Sequence, residues 1–303
     1  MKTLWGEFPV FDAHVHFFSH AFFGSLAKQK QTTVDALGPI LGWEIPAVDP
    51  PQLAERWAAE LNRHGVERAA LIASVPGDEI SVAAAIARFP DKFAGYFLFD
   101  PLAPEMPARL QSAFDSGMRG VCLFPAMQRY SIHDERVRSV FELASSRSGA
   151  IVFVHCGVLS VGVRQKLGLP SHFDMRFSNP IDLHAIALEF PKLNFVIPHF
   201  GAGYLREALM VAGLCPNVYL DTSSSNSWIR YQPEALELQT VFRRALEIVG
   251  PQRLLFGTDS SFFPRGWNAQ IFACQSRILY ESGIGEIDAR QIFGGNLARI
   301  LKR

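Results

Sequence analysis

Two histidines sit one residue apart in the stretch FDAHVHFF, residues 11–18. The stretch otherwise has the composition of a buried strand. Side chains at i and i+2 of a strand share a side, so His14 and His16 present their imidazoles together, with Asp12 on that side too. Three further polar residues close apolar runs in the same way: His155 in AIVFVHC, His199 in LNFVIPH and Asp259 in RLLFGTD. A single histidine of this kind is an ordinary core residue, and Asp259 alone could cap a helix. Buried imidazoles, however, need hydrogen-bond partners or a metal. In a chain with nine histidines, this set has the makings of a zinc-type centre: neutral imidazoles, a carboxylate and one position left for water. A divalent ion there would bring the pKa of bound water towards neutrality and make it a nucleophile.

These residues converge only if a regular scaffold aligns them. Eight short runs rich in Val, Ile, Leu and Phe recur along the chain, at 9–17, 68–74, 93–99, 119–125, 150–156, 193–199, 217–223 and 253–259. They are near-continuous apolar runs, as parallel strands buried on both faces require. Helical patterns lie between them. PPQLAERWAAELNRHG opens with proline and closes with glycine, and DEISVAAAIARFP begins with acidic residues that suit a helix N-terminus. NPIDLHAIALEFP, PEALELQTVFRRALEIVG and WNAQIFACQSRILYESG follow the same logic, and EIDARQIFGGNLARILKR reads as a closing helical extension. Eightfold strand–helix alternation predicts an α/β chain folded as one (β/α)8 TIM barrel over residues 1–303. A doubly wound sheet is the alternative, but the first strand is not followed by a glycine-rich phosphate loop. The stretches 18–49 and 157–179 are too long for ordinary connections, which predicts lids or pocket walls at the active-site face.

Composition narrows the partners. Lys and Arg number 29 and Asp and Glu 29, a formal net charge of zero, so no strong field recruits nucleic acid or an anionic membrane. The N-terminus lacks the features of a signal peptide, and no run has the length of a membrane span. The four cysteines, Cys122, Cys156, Cys215 and Cys274, form no CxxC pair, which fits free thiols in the cytoplasm.

DAHVH, VHCG, FPKLNFVIPHFGAG, NVYLDTSS, LLFGTDSSF and IFGGNLARIL, in that order, resemble the amidohydrolase superfamily, in its branch that includes aminocarboxymuconate semialdehyde decarboxylase. The resemblance spans nearly the whole chain. It implies that His14 and His16 are the HxH metal ligands, His155 the third histidine ligand, and Asp259 the aspartate that binds metal and shuttles protons. His199 then matches the histidine that contacts water or substrate. It also implies a small-molecule substrate and a homodimer. Many binuclear relatives carry a carboxylated lysine on the fourth strand, where this chain has Cys122. A single divalent ion, zinc or alternatively manganese, is therefore expected. Cys122 reads either as a small buried hydrophobe or as a thiolate ligand.

Two chemistries suit such a site. In the first, activated water attacks an amide, ester or lactone carbonyl, with Asp259 as general base and then acid and His199 orienting water or polarising the carbonyl. In the second, an aromatic or dienoic acid loses carbon dioxide, which calls for an arginine near the metal. Arg129, Arg230 and Arg265 follow the fourth, seventh and eighth strands and are the candidates. VHCG is more like the hydrolase-type members, since a proline commonly follows this histidine in the decarboxylases. A non-catalytic scaffold is disfavoured, because unpaired buried imidazoles are costly. Phe173, Phe262 and Trp267 are expected to line an apolar or aromatic substrate pocket, with Phe22, Phe23, Phe177 and Phe263 as further lining.

Overall fold

The computed structural model describes residues 1–158, 161–223, 226–232 and 235–302. Leu159 and Ser160 of the second long connection, Ser224 of NVYLDTSS, Pro233 and Glu234 of the fifth helical pattern, and Arg303 at the end of the closing one lie outside the described residues. After a short antiparallel hairpin, Lys2–Thr3 with Gly6–Glu7, eight parallel strands follow in sequence order. They are β1 Phe11–Phe17, β2 Arg68–Ala73, β3 Phe93–Leu98, β4 Gly120–Leu123, β5 Ile151–Val154, β6 Asn194–Ile197, β7 Val218–Asp221 and β8 Leu254–Leu255. Each pairs with the next. The ring closes where the extension of β8 meets β1: Phe256 accepts from the Ala13 amide at 2.8 Å, and Ser260 from the His16 amide at 2.7 Å. The architecture is a (β/α)8 barrel.

Alternation within the strands separates two cores. Ala70, Ile72, Ala94, Tyr96, Cys122, Ile151, Phe153 and Val196 fill the barrel interior. Their alternate neighbours, such as Leu71, Phe97, Val121 and Val152, pack outward under the helices. Leu297, Ile300 and Leu301 of the C-terminal helix Asn296–Leu301 join the inner set and plug one end of the barrel. The helix Pro50–His64 shows how the outer layer attaches. Proline starts it, and Gly65 ends it with φ 69°, a left-handed conformation that glycine adopts without strain. Leu53, Ala54, Trp57, Ala58 and Leu61 form its buried face, each large side chain contributing roughly 1.5–3 kcal/mol on burial. Among the described residues, no helix is long and apolar enough to cross a membrane.

The long connection 18–49 contains two helices, His20–Lys30 and Val34–Leu41. Ser19 caps the first, its hydroxyl accepting from the Phe22 amide at 3.2 Å. The connection after β5 contributes the short helix Gly162–Lys166. Phe22, Phe23, Leu26, Leu37 and Leu41 from the first segment pack with Val163 and Leu167 from the second in a cluster distinct from both barrel cores. The two insertions thus form a roof with its own small core. Periodicity alone did not reveal these helices, because their apolar residues serve both the roof core and the space beneath it.

Candidate functional site

The site begins with an irregularity in β1. The register to β2 runs from Asp12↔Ala69 to Val15↔Leu71, so one extra residue is accommodated between them. The bulge breaks the simple alternation. Ala13 belongs to the inner core, while Asp12 turns to the outer layer. There it accepts hydrogen bonds from the Trp267 indole N–H at 2.7 Å, the Thr258 amide at 3.1 Å and the His14 amide at 3.0 Å. Burial pushes the Asp12 carboxyl up to about 6, against these hydrogen bonds. Asp12 therefore ties β1 to the β8 extension instead of sharing a face with the histidines. Trp267, expected in the pocket wall, is buried as the partner of Asp12 and lies outside the cavity lining.

His14 and His16 are the two imidazoles that remain at the strand's end. His14 is fully buried, and its Nδ1 lies 2.6 Å from Asp221 Oδ2 at the end of β7. His16 Nδ1 lies 2.8 Å from the Ser74 hydroxyl just after β2. Each contact fixes the ring and directs Nε2 into the barrel mouth. There His16 Nε2 is 3.2 Å and His14 Nε2 3.8 Å from Asp259 Oδ1. Burial alone would raise the Asp259 carboxyl. The hydrogen bond and charge of His16, with His14 and His199 beyond, bring it down to about 2.

Asp259 and His199 share an unusual backbone. Both are non-glycine residues in the left-handed region, Asp259 at φ 57° and His199 at φ 55°. Such conformations cost on the order of 1–3 kcal/mol each and persist where the surroundings enforce them. Both residues lie beyond the ends of their strands, β6 stopping at Ile197 and β8 at Leu255, short of the expected ends. The Asp259 amide donates to the His14 carbonyl at 3.0 Å. His199 Nδ1 lies 3.2 Å from the Ser223 carbonyl and 3.0 Å from its hydroxyl. Burial lowers the His199 pKa, with Asp259 opposing and His14 adding to the effect, which favours the neutral ring.

His155 directly follows β5 and lies against Phe124, the two rings stacked 3.7 Å apart. Burial, then the neighbouring His199, His14 and His16, hold its pKa well below the ordinary value. His14, His155 and His199 bring one nitrogen each to within 4.8 Å of one another, as do His14, His16 and Asp259 with one ligand atom each. His14 Nε2 and His155 Nδ1 are buried with no hydrogen-bond partner among the described residues. Unpaired buried nitrogens, one of them 3.8 Å from the Asp259 carboxylate, are donors that a divalent ion would satisfy. Cys122 belongs to neither cluster and lies in the apolar barrel interior, where burial raises its thiol pKa.

A cavity of about 570 Å³ opens above this cluster. His16, His155, His199 and Asp259 form its floor, and Phe18, Phe22, Trp43, Phe124, Phe173 and Phe262 much of its wall. Arg265 also faces it, its guanidinium 4.4 Å from the Phe262 ring centre and one nitrogen 3.0 Å from the Ser261 hydroxyl. Arg129 and Arg230, expected as substrate contacts, lie outside the lining. Arg129 is held by the His172 carbonyl at 2.9 Å, and Arg230 by the Tyr231 hydroxyl at 2.7 Å. Phe23, Phe177 and Phe263 also lie outside it.

The sequence pattern of the Amidohydrolase family matches residues 11–303. The chain belongs to the amidohydrolase family. It is thus an enzyme of a superfamily built around divalent-metal chemistry. An uncharacterized TIM-barrel protein from Bordetella bronchiseptica superposes with a TM-score of 0.66 at 21% identity, over 97% of this chain and 99% of that one. A zinc-bound amidohydrolase from Burkholderia multivorans gives 0.63 at 16%, over 97% and 99%. A uronate isomerase from Bacillus halodurans gives 0.58 at 13%, over 97% and 93%. Likeness at these identities establishes the barrel and not the reaction. Protein fluG of Emericella nidulans is 37% identical over 87 residues, 29% of this chain and 10% of that protein. The chain thus spans about a tenth of the length of that curated relative.

Three supporting residues of this amidohydrolase escaped sequence reasoning: Asp221, Ser223 and Ser74. Asp221 had a signal, since it is an acidic residue closing an apolar strand, the same feature that singled out Asp259. Ser74 and Ser223 had none, because serines after strands are common in loops.

Proposed function

We propose that the chain is a metal-dependent hydrolase that delivers water to the amide, ester or lactone carbonyl of a small apolar or aromatic substrate. The observation that carries this reading is the pair of buried, unpartnered nitrogens, His14 Nε2 and His155 Nδ1, with His14 common to the cluster that holds His155 and the one that holds His16 and Asp259. His14, His16, His155 and Asp259 would hold one divalent ion, zinc by the nature of the donors or alternatively manganese. Bound there, the ion supplies Lewis acidity at the scissile carbonyl. Asp259 directs Oδ1 at the two histidines, which leaves Oδ2 to take a proton from the attacking water and pass it to the leaving group. His199 donates through Nδ1 to the Ser223 carbonyl, so its neutral ring offers the Nε2 lone pair to orient that water. The aromatic wall excludes bulk solvent and shapes the space for an apolar acyl or alcohol group, with Phe173 and Phe262 in contact with it.

One observation favours a second reading. Arg265 lines the same cavity, as non-oxidative decarboxylation of an aromatic or dienoic acid requires. Assaying the zinc- and manganese-loaded protein on aryl esters, lactones, anilides and hydroxybenzoates separates the two. Carbonyl cleavage without carbon dioxide release supports hydrolysis. Carbon dioxide release without carbonyl cleavage replaces it with decarboxylation.

A further inference from the structure

The cavity has an unbalanced set of charges at its mouth. Lys166 and Arg265 are cations in its lining, and Asp259 on the floor is its one carboxylate among the described residues. Neither cation has a carboxylate partner within 4.0 Å among those residues. Both rest on one aromatic slab: Trp43 and Phe262 stack 4.1 Å apart at 12°, with Lys166 Nζ 5.6 Å from the Trp43 ring centre and the Arg265 guanidinium 4.4 Å from that of Phe262. Contact with the rings holds each charged head near the opening instead of letting it roam in solvent. Arg265 commits one nitrogen to the Asp259 carbonyl and the Ser261 hydroxyl. The rest of its planar fork keeps donors to offer.

Two helices of the roof carry further cations: His20–Lys30 has Lys28 and Lys30, and Gly162–Lys166 has Arg164 and Lys166, with no acidic residue in either, while Asp35, Glu44, Asp49 and Asp174 lie elsewhere in the two connections. The two segments lie side by side, joined by the 2.7 Å hydrogen bond from Arg164 to Gln29.

We propose that the cavity mouth reads an anionic group on the substrate, with Lys166 and Arg265 receiving it while the apolar body lies against the Trp43–Phe262 slab. This rests on the reading that the cavity admits the hydrolysable substrate, and it narrows that substrate to a flat apolar compound bearing a carboxylate, sulfonate or phosphate. Lys166 and Arg265, the two cations of the lining, attract anions most strongly at low salt.

Equilibrium binding tests this without turnover. The probes are 2-naphthalenesulfonate and the neutral methyl 2-naphthyl sulfone, titrated into metal-free and zinc-loaded protein. Wild type should prefer the sulfonate roughly tenfold at low salt, the worth of one charge-assisted contact. The preference should shrink towards unity as salt rises from about 0.01 M to about 1 M, where the screening length falls from roughly 30 Å to roughly 3 Å. Lys166→Met should lose most of the preference, and Lys166→Arg should retain it. Lys166 is exposed, so these variants fold. Equal binding of both probes by wild type, or a preference undiminished in Lys166→Met, would overturn the proposal. Selective binding by a protein that hydrolyses no carbonyl would leave this inference standing and remove the hydrolase reading. Hydrolysis of neutral and anionic esters alike, with no binding preference, would do the reverse.

Discussion

Asp221 Oδ2 lies 2.6 Å from His14 Nδ1, with both side chains sealed from solvent. The same carboxylate accepts from the Ser223 hydroxyl at 2.9 Å, and Ser223 in turn reaches His199. One strand-end aspartate therefore orients two rings of the site. Asp221→Asn should retain the barrel but bind zinc about 10–100-fold more weakly. Chelator competition measures this directly. Wild-type zinc affinity in Asp221→Asn would mean that His14 does not need the contact.

Gly257 makes a separate demand on the same pair. A Cβ at this position would lie 2.8 Å from Asp221 Oδ1 and 2.9 Å from the Cβ atoms of His14 and Ser223. None of these is the far end of a flexible chain. Gly257→Ala should destabilise the protein by about 1–3 kcal/mol through overpacking and weaken metal retention at the same time. Gly24, inside the roof helix, meets nothing within 4 Å. Gly24→Ala should instead stabilise by about 0.5–1 kcal/mol through helix propensity. Thermal melts of the two variants should shift in opposite directions, and a shared direction would contradict the packing argument.

The barrel was legible because its strands are apolar along their length and its chemistry-bearing residues sit where those runs end. His14, His16, His155, His199 and Asp259 could each be placed at the mouth from position alone. The side of Asp12 could not, because a bulge between Asp12 and Val15 inserts a residue that leaves no mark on the hydrophobic pattern. Arg129 and Arg230 follow the right strands, but nothing in their spacing indicates that the His172 carbonyl and the Tyr231 hydroxyl engage them. The two roof helices were hidden for a related reason. Their apolar residues face another insertion far away in sequence, so no single-segment period exposes the partner.

The roof is anchored at one buried carboxylate. Asp78 accepts hydrogen bonds from the hydroxyls of Ser19 and Ser81, and Ser19 is the cap of the first roof helix. Ser19→Ala should loosen that helix while leaving the barrel intact. Hydrogen exchange should then accelerate across residues 20–41 and stay unchanged in β2 to β5, whereas uniform acceleration would show that the roof is not a separate unit. Burial raises the Asp78 pKa above 3.8, with the two serine hydrogen bonds opposing. The folded state therefore holds this proton more tightly than the unfolded one. The stability linked to it is complete below 3.8 and is lost as pH rises through the folded value. Asp78→Asn should flatten that part of the stability profile, as denaturant unfolding from about pH 3.5 to about pH 7 would reveal.

Ligation and proton transfer can be separated by three substitutions. His16 has its ring fixed by Ser74 and its Nε2 3.2 Å from Asp259, so His16→Ala should lose most bound zinc and activity together. Asp259→Asn keeps the side-chain volume but removes the proton acceptor. It should fold, retain part of its metal and lose about 10²–10⁴ in turnover. Turnover equal to wild type in Asp259→Asn would refute its role. His199 stands apart, since its Nδ1 is committed to Ser223 and it is the residue proposed to orient water. His199→Ala should reduce kcat far more than zinc content, measured on the same preparation by atomic emission and steady-state kinetics. Yet His199 also shares the 4.8 Å cluster with His14 and His155. If His199→Ala instead strips the zinc, the imidazole is a ligand, and the orientation of water passes to Asp259 alone.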